Sequence, residues 1–193
     1  MKGKLVLIIG PSGVGKSVVL HALRKRIPSL HMPRSATTRE RRPREKDDLY
    51  HFLRSTEFDA LIREGKFLEW ATVHGGARYG TLLEEIIPKI EEGEIVLREV
   101  DVQGFDSIRS HPLFHGKNPP YTLQSIFILP ENTEQLIERI KRRAPISEGE
   151  LQHRIQSMEK ELRYADLCTA RVINREGKLK ETVEEVEKLI RGI

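Results

Sequence analysis

Cysteine is almost absent from this chain of 193 residues, which contains Cys168 and no other. A single cysteine excludes a disulfide within the chain and fits a reducing compartment, so we expect a cytoplasmic location. Long hydrophobic runs are missing as well. The run from Leu5 to Ile9 has five residues, whereas a membrane-spanning helix needs about 20. It is also too short for the core of a signal peptide, so the sequence predicts no membrane partner.

Aromatic residues are few, and neither sign of charge is in strong excess. Aromatics make up 6% of the chain, and 33 basic against 29 acidic residues leave a net charge of +4. The basic residues cluster at Arg34–Arg44 and Arg139–Arg143. Such clusters can bind nucleic acid or a polyphosphate, but these lack the interleaved aromatic side chains on which bases stack. The sequence therefore predicts a polyphosphate ligand and no nucleic-acid partner.

Four apolar runs in the chain predict buried parallel strands. They are Leu5–Ile9, Ile95–Val100, Ser125–Leu129 and Arg171–Asn174. Four segments with helical spacing of their apolar residues lie between and after these runs. They are Lys16–Arg26, Thr133–Arg143, Ser147–Tyr164 and Lys178–Ile190. This alternation predicts the α/β class, with a parallel sheet core flanked by helices.

One segment, from about residue 34 to residue 94, interrupts the alternation. It is rich in charged and turn residues, and its aromatic runs are short, as at Tyr50-His51-Phe52. Because domains have roughly 100–200 residues, we assign residues 1–193 to a single domain. Its core would be residues 1–33 and 95–193, and the interrupting segment would be an inserted lobe that binds a substrate.

The clearest local motif follows the first predicted strand. Its pattern is G-x-x-x-x-G-K-[ST] between a strand and a helix, which is typical of a phosphate-binding loop. Glycines let backbone N–H groups curl around phosphate oxygens, and the helix N-terminus adds partial positive charge. Lys16 can reach the β- and γ-phosphates, and the Ser17 hydroxyl can hold Mg²⁺. The predicted triphosphate-binding residues are Gly10, Pro11, Ser12, Gly13, Val14, Gly15, Lys16 and Ser17.

Four further motifs follow the phosphate loop in order. They are Ser35-Ala36-Thr37-Thr38-Arg39-Glu40-Arg41-Arg42, Phe67-Leu68-Glu69-Trp70-Ala71, Tyr79-Gly80-Thr81 and Val100-Asp101-Val102-Gln103-Gly104. The ordered set resembles the guanylate kinase family, from the first strand to the final helix. The resemblance implies a P-loop kinase fold with an inserted GMP-binding lobe and a helical lid at about residues 139–155. It also implies phosphoryl transfer from ATP to GMP, giving ADP and GDP, with Mg²⁺ as the cofactor.

The resemblance implies roles for positions in the inserted lobe. Arg39 and Arg42 would grip the 5′-phosphate of GMP, since guanidinium groups pair bidentately with phosphate. Two phenols would donate to the same phosphate, and three residues would face the base. The phenols are Tyr50 and Tyr79, and the base-facing residues are Ser35, Glu69 and Thr81. A carboxylate can accept from both N1–H and the exocyclic amine of guanine, a donor pair that adenine does not present.

The remaining roles implied by the resemblance surround the transferring phosphoryl group. Glu99 and Asp101 would lie near GMP and Mg²⁺, with Ser17 and Asp101 as the metal ligands. Asn174 would lie beside the adenine. The implied catalytic residues are Lys16, Arg39 and three lid arginines, namely Arg139, Arg143 and Arg154. No general base is expected, because a phosphate monoester with a second pKa near roughly 6 is largely dianionic at neutral pH.

This chain departs from the family pattern at several positions. The loop from Pro43 to Leu49 lacks the glycines usual there, and Arg78 stands where an aromatic residue is common. The turn Ala144-Pro145-Ile146 replaces a glycine-containing turn in the lid. None of these departures falls on a residue that the resemblance assigns to ATP or GMP.

Two other functions stay open. A related small-molecule kinase could use a different phosphorylated acceptor, which the altered loop after Arg42 allows and Glu69 argues against. A guanylate-kinase-like module could instead bind phosphorylated peptides without catalysis. Such modules tend to have degraded phosphate loops, whereas this chain keeps Lys16 and Ser17. ATP and GMP are the predicted partners, and the sequence leaves the choice between monomer and homodimer open.

Overall fold

Nine strands in the described part of the chain form two sheets, one of five strands and one of four. The computed structural model of the protein describes residues 3–42, 45, 49–73, 75–143 and 147–193. The five-stranded sheet contains β1 (Lys4–Ile9), β2 (Leu30–His31), β7 (Ile95–Glu99), β8 (Thr122–Pro130) and β9 (Ala170–Asn174). Its order is β2-β7-β1-β8-β9, and the pairs β2/β7 and β8/β9 are parallel.

The four-stranded sheet lies within the segment that was predicted to be a substrate lobe. It contains β3 (Ser35–Thr37), β4 (Tyr50–Phe52), β5 (Phe67–Thr72) and β6 (Arg78–Leu82), in the order β4-β3-β6-β5. Strand β6 is antiparallel to both of its neighbours, and β3 is parallel to β4. This sheet is therefore mixed, unlike the parallel core predicted for the rest of the chain.

The described part of the chain also contains seven α-helices and one 3₁₀-helix. The α-helices are α1 (Lys16–Arg26), α2 (Ser55–Arg63), α3 (Leu83–Glu91), α4 (Val102–Ser110), α5 (Thr133–Arg143), α6 (Glu148–Leu162) and α7 (Leu179–Arg191). The 3₁₀-helix is Arg163–Leu167. The predicted α/β class and the four predicted strands and four predicted helices are confirmed. In the described chain, no helix is both long and apolar enough to cross a membrane.

The chain divides into two compact units. The first consists of Met1–Leu5, Ser29–Arg98 and Gln103–Leu123, and the second of Val6–Pro28, Glu99–Val102 and Gln124–Ile193. The first unit thus contains more than the predicted lobe of residues 34–94, whose boundaries stay a prediction. The lid boundaries of about 139–155 stay a prediction as well.

In the first unit, the four-stranded sheet packs one face against α2. Ala36, Phe58, Phe67 and Leu82 form the buried cluster between them. The rings of Phe58 and Phe67 stack with their centroids 4.4 Å apart. A Cβ atom on Gly80 would lie 2.6 Å from the Phe67 ring, so glycine is required for this close approach. The burial of one face fixes the register of the strands and leaves the other face for polar side chains.

In the second unit, the part of β1 from Val6 onward is buried, and helices α1 and α7 pack together. Residues 6–9 of β1 have no exposed surface. Helix α1 contributes Val19 and Leu23 to the core, and α7 contributes Val183, Val186 and Ile190. The spacing of these residues at three or four positions gives each helix one apolar face. The loop between β1 and α1 is therefore attached at both ends to buried elements.

Candidate active site

The loop from Gly10 to Gly15 has the backbone conformation of a phosphate cradle. Gly13 and Gly15 have φ angles of +85° and +99°, which L side chains rarely adopt. Gly15 is the cap residue of α1, so the loop leads directly into the first turn of the helix. A Cβ atom on Gly15 would also lie 2.7 Å from Nδ2 of Asn174. The motif predicted from the sequence thus stands between the expected strand and the expected helix.

Lys16 folds its side chain back over this loop. Its Nζ donates to the carbonyl oxygens of Gly10 at 2.7 Å and Pro11 at 3.2 Å. The same Nζ lies 3.8 Å from Oε1 of Glu99, and the Ser17 hydroxyl donates to Oε2 of Glu99 at 3.1 Å. The ammonium group is therefore held at the loop, where positive charge can neutralise a bound phosphate.

Glu99 ends the β7 strand as expected, whereas Asp101 does not, and the described contacts of Glu99 are with the phosphate loop. Glu99 is the last residue of β7, and it is the carboxylate that Lys16 and Ser17 contact. Asp101 is exposed, two residues beyond the end of that strand. The sequence assigned Glu99 to the GMP site and Asp101 to both GMP and Mg²⁺. These two roles stay predictions.

Asn174 is buried and ties the phosphate loop to α7. Its Nδ2 donates to the carbonyl oxygen of Val14 at 2.8 Å, and its Oδ1 accepts a hydrogen bond from the Thr182 hydroxyl at 3.1 Å. The Thr182 hydroxyl also lies 3.3 Å from the carbonyl oxygen of Lys178. The sequence predicted Asn174 beside the adenine, which stays a prediction, but it missed the contact with the loop. Thr182 carries no motif, so nothing in the sequence pointed to it.

The predicted lid arginines lie on α5 and α6. Arg139 and Arg143 are within α5 as expected, and their side chains fall outside the described part of the chain. Arg154 lies on α6, where its Nη2 donates to Oε1 of Glu150 at 2.6 Å. Arg154 and Ser12 of the phosphate loop share a cavity of about 100 Å³ with three other α6 residues. The placement fits a cation near the bound triphosphate, although the catalytic role stays a prediction.

The four-stranded sheet brings together the residues predicted to face a base. Thr81 lies directly opposite Ser35 on β3 and opposite Glu69 on β5, while Ser35 pairs with Tyr50 on β4. Directly opposite residues project from the same face of a sheet. The face that does not pack on α2 therefore presents all four side chains. Motifs separated by up to 46 positions in the sequence become neighbours through strand register.

Glu69 is the most enclosed carboxylate of this face. Its side chain is 11% exposed, and its Oε1 accepts a hydrogen bond from the buried Thr81 hydroxyl at 2.5 Å. Arg98, the fourth residue of β7, places Nη2 4.0 Å from the same oxygen and Nη1 3.5 Å from the Pro33 carbonyl oxygen. The guanidinium thus places positive charge beside the enclosed carboxylate. The sequence missed Arg98, which belongs to none of the motifs.

Arg39 is held on several sides by described residues. Its Nε donates to the Tyr79 hydroxyl at 3.0 Å. Its Nη1 and Nη2 donate to the two oxygens of Glu45 at 2.9 and 2.7 Å, and Nη1 also donates to the Glu40 carbonyl oxygen at 2.7 Å. The guanidinium carbon lies 5.3 Å from the centroid of the Tyr50 ring. Arg39, Tyr50 and Tyr79 are therefore brought together as predicted, while Glu45 was not foreseen.

Glu45 also accepts a hydrogen bond from the backbone of Arg42, a residue that is exposed to solvent. Its Oε2 accepts from the Arg42 N–H at 2.9 Å. The hydrogen bonds from the Arg39 side chain and from the Arg42 backbone lower the pKa of Glu45 to about 2, from an ordinary value of 4.5. Because this pKa is depressed, the pair stabilises the folded chain above pH 4.5, and its contribution is lost as the pH falls toward 2. Glu45 is ionised at neutral pH.

Comparison with known proteins decides the family. The family model described as guanylate kinase matches residues 2–192 of this chain. The chain belongs to the guanylate kinase family. A curated guanylate kinase of Tropheryma whipplei (strain Twist) is 37% identical over 171 residues, which cover 88% of this chain and 84% of the relative. A guanylate kinase of Mycobacterium leprae is 37% identical over 193 residues, covering 99% of this chain and 87% of the relative.

A solved structure shows that the fold is shared as well. The crystal structure of guanylate kinase from Anaplasma phagocytophilum superposes with a TM-score of 0.72 at 24% sequence identity. The match covers 98% of this chain and 85% of that chain. The P-loop kinase fold and the resemblance predicted from the five ordered motifs are confirmed.

One departure from the guanylate kinase pattern has a physical explanation in the structure. Arg78 stands where an aromatic residue is common in the family, and its guanidinium lies 4.7 Å from the centroid of the Phe58 ring. The same guanidinium pairs with Asp59 and donates to the Ser55 carbonyl oxygen. The arginine thus covers the ring on α2 with its own flat face. The other departures fall in the loop from Pro43 to Leu49 and at residues 144–146; of these, residues 43, 44, 46–48 and 144–146 lie outside the described residues.

Proposed function

We propose that this protein transfers the γ-phosphate of ATP to GMP, giving ADP and GDP. The observation that carries the proposal is that Ser35, Thr81 and Glu69 lie opposite one another on three neighbouring strands of one sheet. It occurs in a chain of the guanylate kinase family that keeps the whole phosphate-loop motif. The loop supports a nucleoside triphosphate as the donor, and the polar sheet face supports a purine nucleotide as the acceptor.

The acceptor is proposed to be GMP because of what Glu69 can accept. Guanine presents an N1–H and an exocyclic amine on one edge, and a carboxylate can accept from both. Adenine presents an N1 lone pair there, which would face the carboxylate without a hydrogen bond. An enclosed polar site of this kind can reject the wrong base by about 10⁴-fold, because its polar groups are then left unpaired. Thr81 supports the selection by fixing one carboxylate oxygen at 2.5 Å.

The proposed cofactor is Mg²⁺ bound together with ATP. The residues present fit this ion, because the Ser17 hydroxyl and the Glu99 carboxylate lie 3.1 Å apart and both offer oxygen. Mg²⁺ prefers oxygen ligands and usually combines one or two protein groups with substrate phosphates and waters. Ser17 and Asp101 are the ligands we propose, with Glu99 beside them. When bound, the ion would supply positive charge that neutralises the phosphates.

The chemistry proposed for the protein is positioning and charge neutralisation. The GMP phosphate is already dianionic at neutral pH, so no side chain has to remove a proton. Arg39, Arg42, Tyr50 and Tyr79 would orient this phosphate as the nucleophile for an in-line attack. Lys16 and the lid arginines, Arg139, Arg143 and Arg154, would stabilise charge on the transferring phosphoryl group.

The expected location and assembly rest on the sequence. A single cysteine favours the cytoplasm. The sequence patterns favour neither a membrane nor a nucleic acid as a partner, and they are compatible with a monomer or a homodimer. Size-exclusion chromatography with light scattering would distinguish the two assemblies.

The direct test is ADP release from ATP and Mg²⁺ with GMP, AMP, CMP and UMP offered separately. We expect turnover with GMP and at most about 10⁻⁴ of that kcat/KM with AMP. Equal use of AMP would contradict the proposed role of Glu69. Failure to turn over any of the four, in a protein that binds ATP, would favour a different phosphorylated acceptor or a module that binds phosphorylated peptides.

A further inference from the structure

Glu45 forms an ion pair with Arg39, one of the residues predicted to bind the acceptor's phosphate, and both carboxylate oxygens take part. Both of its oxygens accept from Arg39, at 2.7 and 2.9 Å, and one of them also accepts from the Arg42 backbone at 2.9 Å. The side chains of Glu45 and Arg39 are 18% and 17% exposed, so the pair is largely enclosed. One carboxylate thereby links both arginines to which the sequence assigned the 5′-phosphate.

The geometry of the guanidinium determines what this pairing leaves for a ligand. A guanidinium has five N–H donors in one plane: two on the Nη1–Nη2 edge, two on the Nε–Nη2 edge and one more on Nη1. Contacts with described residues account for four of them: two to Glu45, one to the Glu40 carbonyl oxygen and one to the Tyr79 hydroxyl. Glu45 occupies the edge formed by Nη1 and Nη2. The other edge, formed by Nε and Nη2, is the one next to Tyr79.

We propose that Glu45 is a positioning residue, which anchors one edge of Arg39 so that the edge beside the Tyr79 hydroxyl faces the acceptor's 5′-phosphate. The inference rests on the proposed function. The phosphate would then accept from the remaining Nη2 N–H of this edge and from the Tyr79 hydroxyl, which itself accepts from Nε, without breaking the pair with Glu45. The ring of Tyr50, 5.3 Å from the guanidinium carbon, supports the same orientation from the side.

A competing account gives Glu45 the opposite role. A carboxylate on an arginine fork resembles a bound phosphate, so Glu45 could occupy the phosphate position and have to leave when GMP binds. The two accounts predict opposite signs for the loss of the carboxylate. If Glu45 positions Arg39, its removal weakens GMP binding; if Glu45 competes, its removal strengthens GMP binding.

Electrostatics alone sharpens this contrast. Removing any acidic charge near the site makes the site more positive, which favours an anionic ligand. A positioning role must therefore outweigh this gain before it becomes visible as weaker binding. Glu40 is the matched control, because it is an exposed glutamate in the same loop that contacts Arg39 through its backbone oxygen. Glu40→Gln changes the charge by the same amount and leaves the pair intact.

The test compares steady-state kinetics of the wild type, Glu45→Gln and Glu40→Gln, with GMP as the varied substrate. We expect Glu45→Gln to raise KM for GMP by about tenfold or more, because a misplaced binding group loses much of its contact. KM for ATP should change less than about twofold, because the described contacts of Glu45 are with Arg39 and Arg42, which belong to the proposed GMP site. Glu40→Gln should leave KM for GMP unchanged or slightly lower. An unchanged or lowered KM for GMP in Glu45→Gln would overturn the proposal.

Two further variants make the result specific. Glu45→Asp keeps the charge on a shorter side chain. If Glu45 positions Arg39, this variant should raise KM for GMP less than Glu45→Gln does. It also provides the test if Glu45→Gln does not fold. In an Arg39→Lys background, which lacks the fork, Glu45→Gln should add little to the KM for GMP. A full additional tenfold effect in that background would show that Glu45 acts through something other than Arg39. Absence of GMP turnover in the wild type would instead defeat the proposed function.

Discussion

The donor and acceptor half-sites are built in different ways. The proposed donor site consists of consecutive residues, and their described contacts include backbone carbonyl oxygens, the Glu99 carboxylate and the buried amide of Asn174. The proposed acceptor half-site combines residues from four strands with residues that follow β3, where the side chains of Arg39 and Glu45 hold one another in place. A local motif determines the first half-site, whereas strand register determines the second.

This difference has consequences for how each half-site tolerates change. A substitution in the loop alters a rigid element that is attached to buried β1 and α1. A substitution on the sheet face alters one member of a charge network while the sheet remains, because its packed face lies against α2. We therefore expect donor-side variants to lose chemistry and acceptor-side variants to lose recognition.

Lys16→Met should have the largest effect. The substitution removes the ammonium group but keeps most of the apolar stem, so the helix and the loop should remain folded. Loss of a cation at the transferring group typically costs about 10³-fold or more in rate. We expect kcat to fall by at least that amount, measured as ADP release, with the thermal unfolding curve close to that of the wild type. A variant that kept more than a tenth of its kcat would contradict the role of Lys16.

Glu69→Gln should have the next largest effect, which should appear in the use of GMP and not in the binding of ATP. The substitution replaces a carboxylate oxygen by an amide that cannot accept both guanine donors. We expect kcat/KM for GMP to fall about 10²-fold or more, while KM for ATP stays close to the wild-type value. The ratio of kcat/KM for GMP over AMP reports this directly. A ratio that did not change would remove Glu69 from base selection; Glu64→Gln, at an exposed position, is the control.

Asn174→Ala should have the smallest of the three effects on catalysis but a clear effect on folding. It leaves the Val14 carbonyl oxygen and the Thr182 hydroxyl without their amide partner, and an unsatisfied buried polar group costs about 1–3 kcal/mol. We expect a lower free energy of unfolding and a KM for ATP raised several-fold, because the loop loses its anchor. Urea unfolding and steady-state kinetics measure the two effects.

Thr182→Val separates these two effects of Asn174. It removes the hydroxyl group on α7 and keeps the amide bond to the Val14 carbonyl oxygen. Stability should fall while KM for ATP stays near the wild-type value. A KM for ATP that rose as much as in Asn174→Ala would mean that the loop responds to packing in general, and not to the Asn174 amide.

The sequence predicted the strand and the helix on either side of the loop that forms the proposed donor half-site. Helix α1 begins and ends at the predicted residues, Lys16 and Arg26, because Gly15 and the apolar spacing mark it locally. The two-residue strand β2 and helix α4 were missed. Strand β2 is too short to carry a pattern, and α4 begins inside a family motif and contains Gly104, a residue that disfavours helices.

For the proposed acceptor half-site, the sequence named candidate residues, whose roles stay predictions, but it did not predict which contacts hold them. The register that places Ser35, Thr81 and Glu69 side by side depends on which strands pair, and strand pairing is not visible in local patterns. Arg98 and Glu45 were missed for the same reason. Each is a charged residue in an otherwise ordinary stretch, and its role arises only from a partner brought close by the fold.

The central claim is that the phosphate loop binds the donor, whereas the polar face of the four-stranded sheet binds the acceptor base. The most direct measurement is isothermal titration of GMP, and separately of a non-hydrolysable ATP analogue with Mg²⁺, into the wild type, Lys16→Met and Glu69→Gln. We predict that Lys16→Met loses affinity for the ATP analogue and keeps the wild-type affinity for GMP, and that Glu69→Gln does the reverse. The account would be contradicted if either variant lost affinity for both ligands to the same degree.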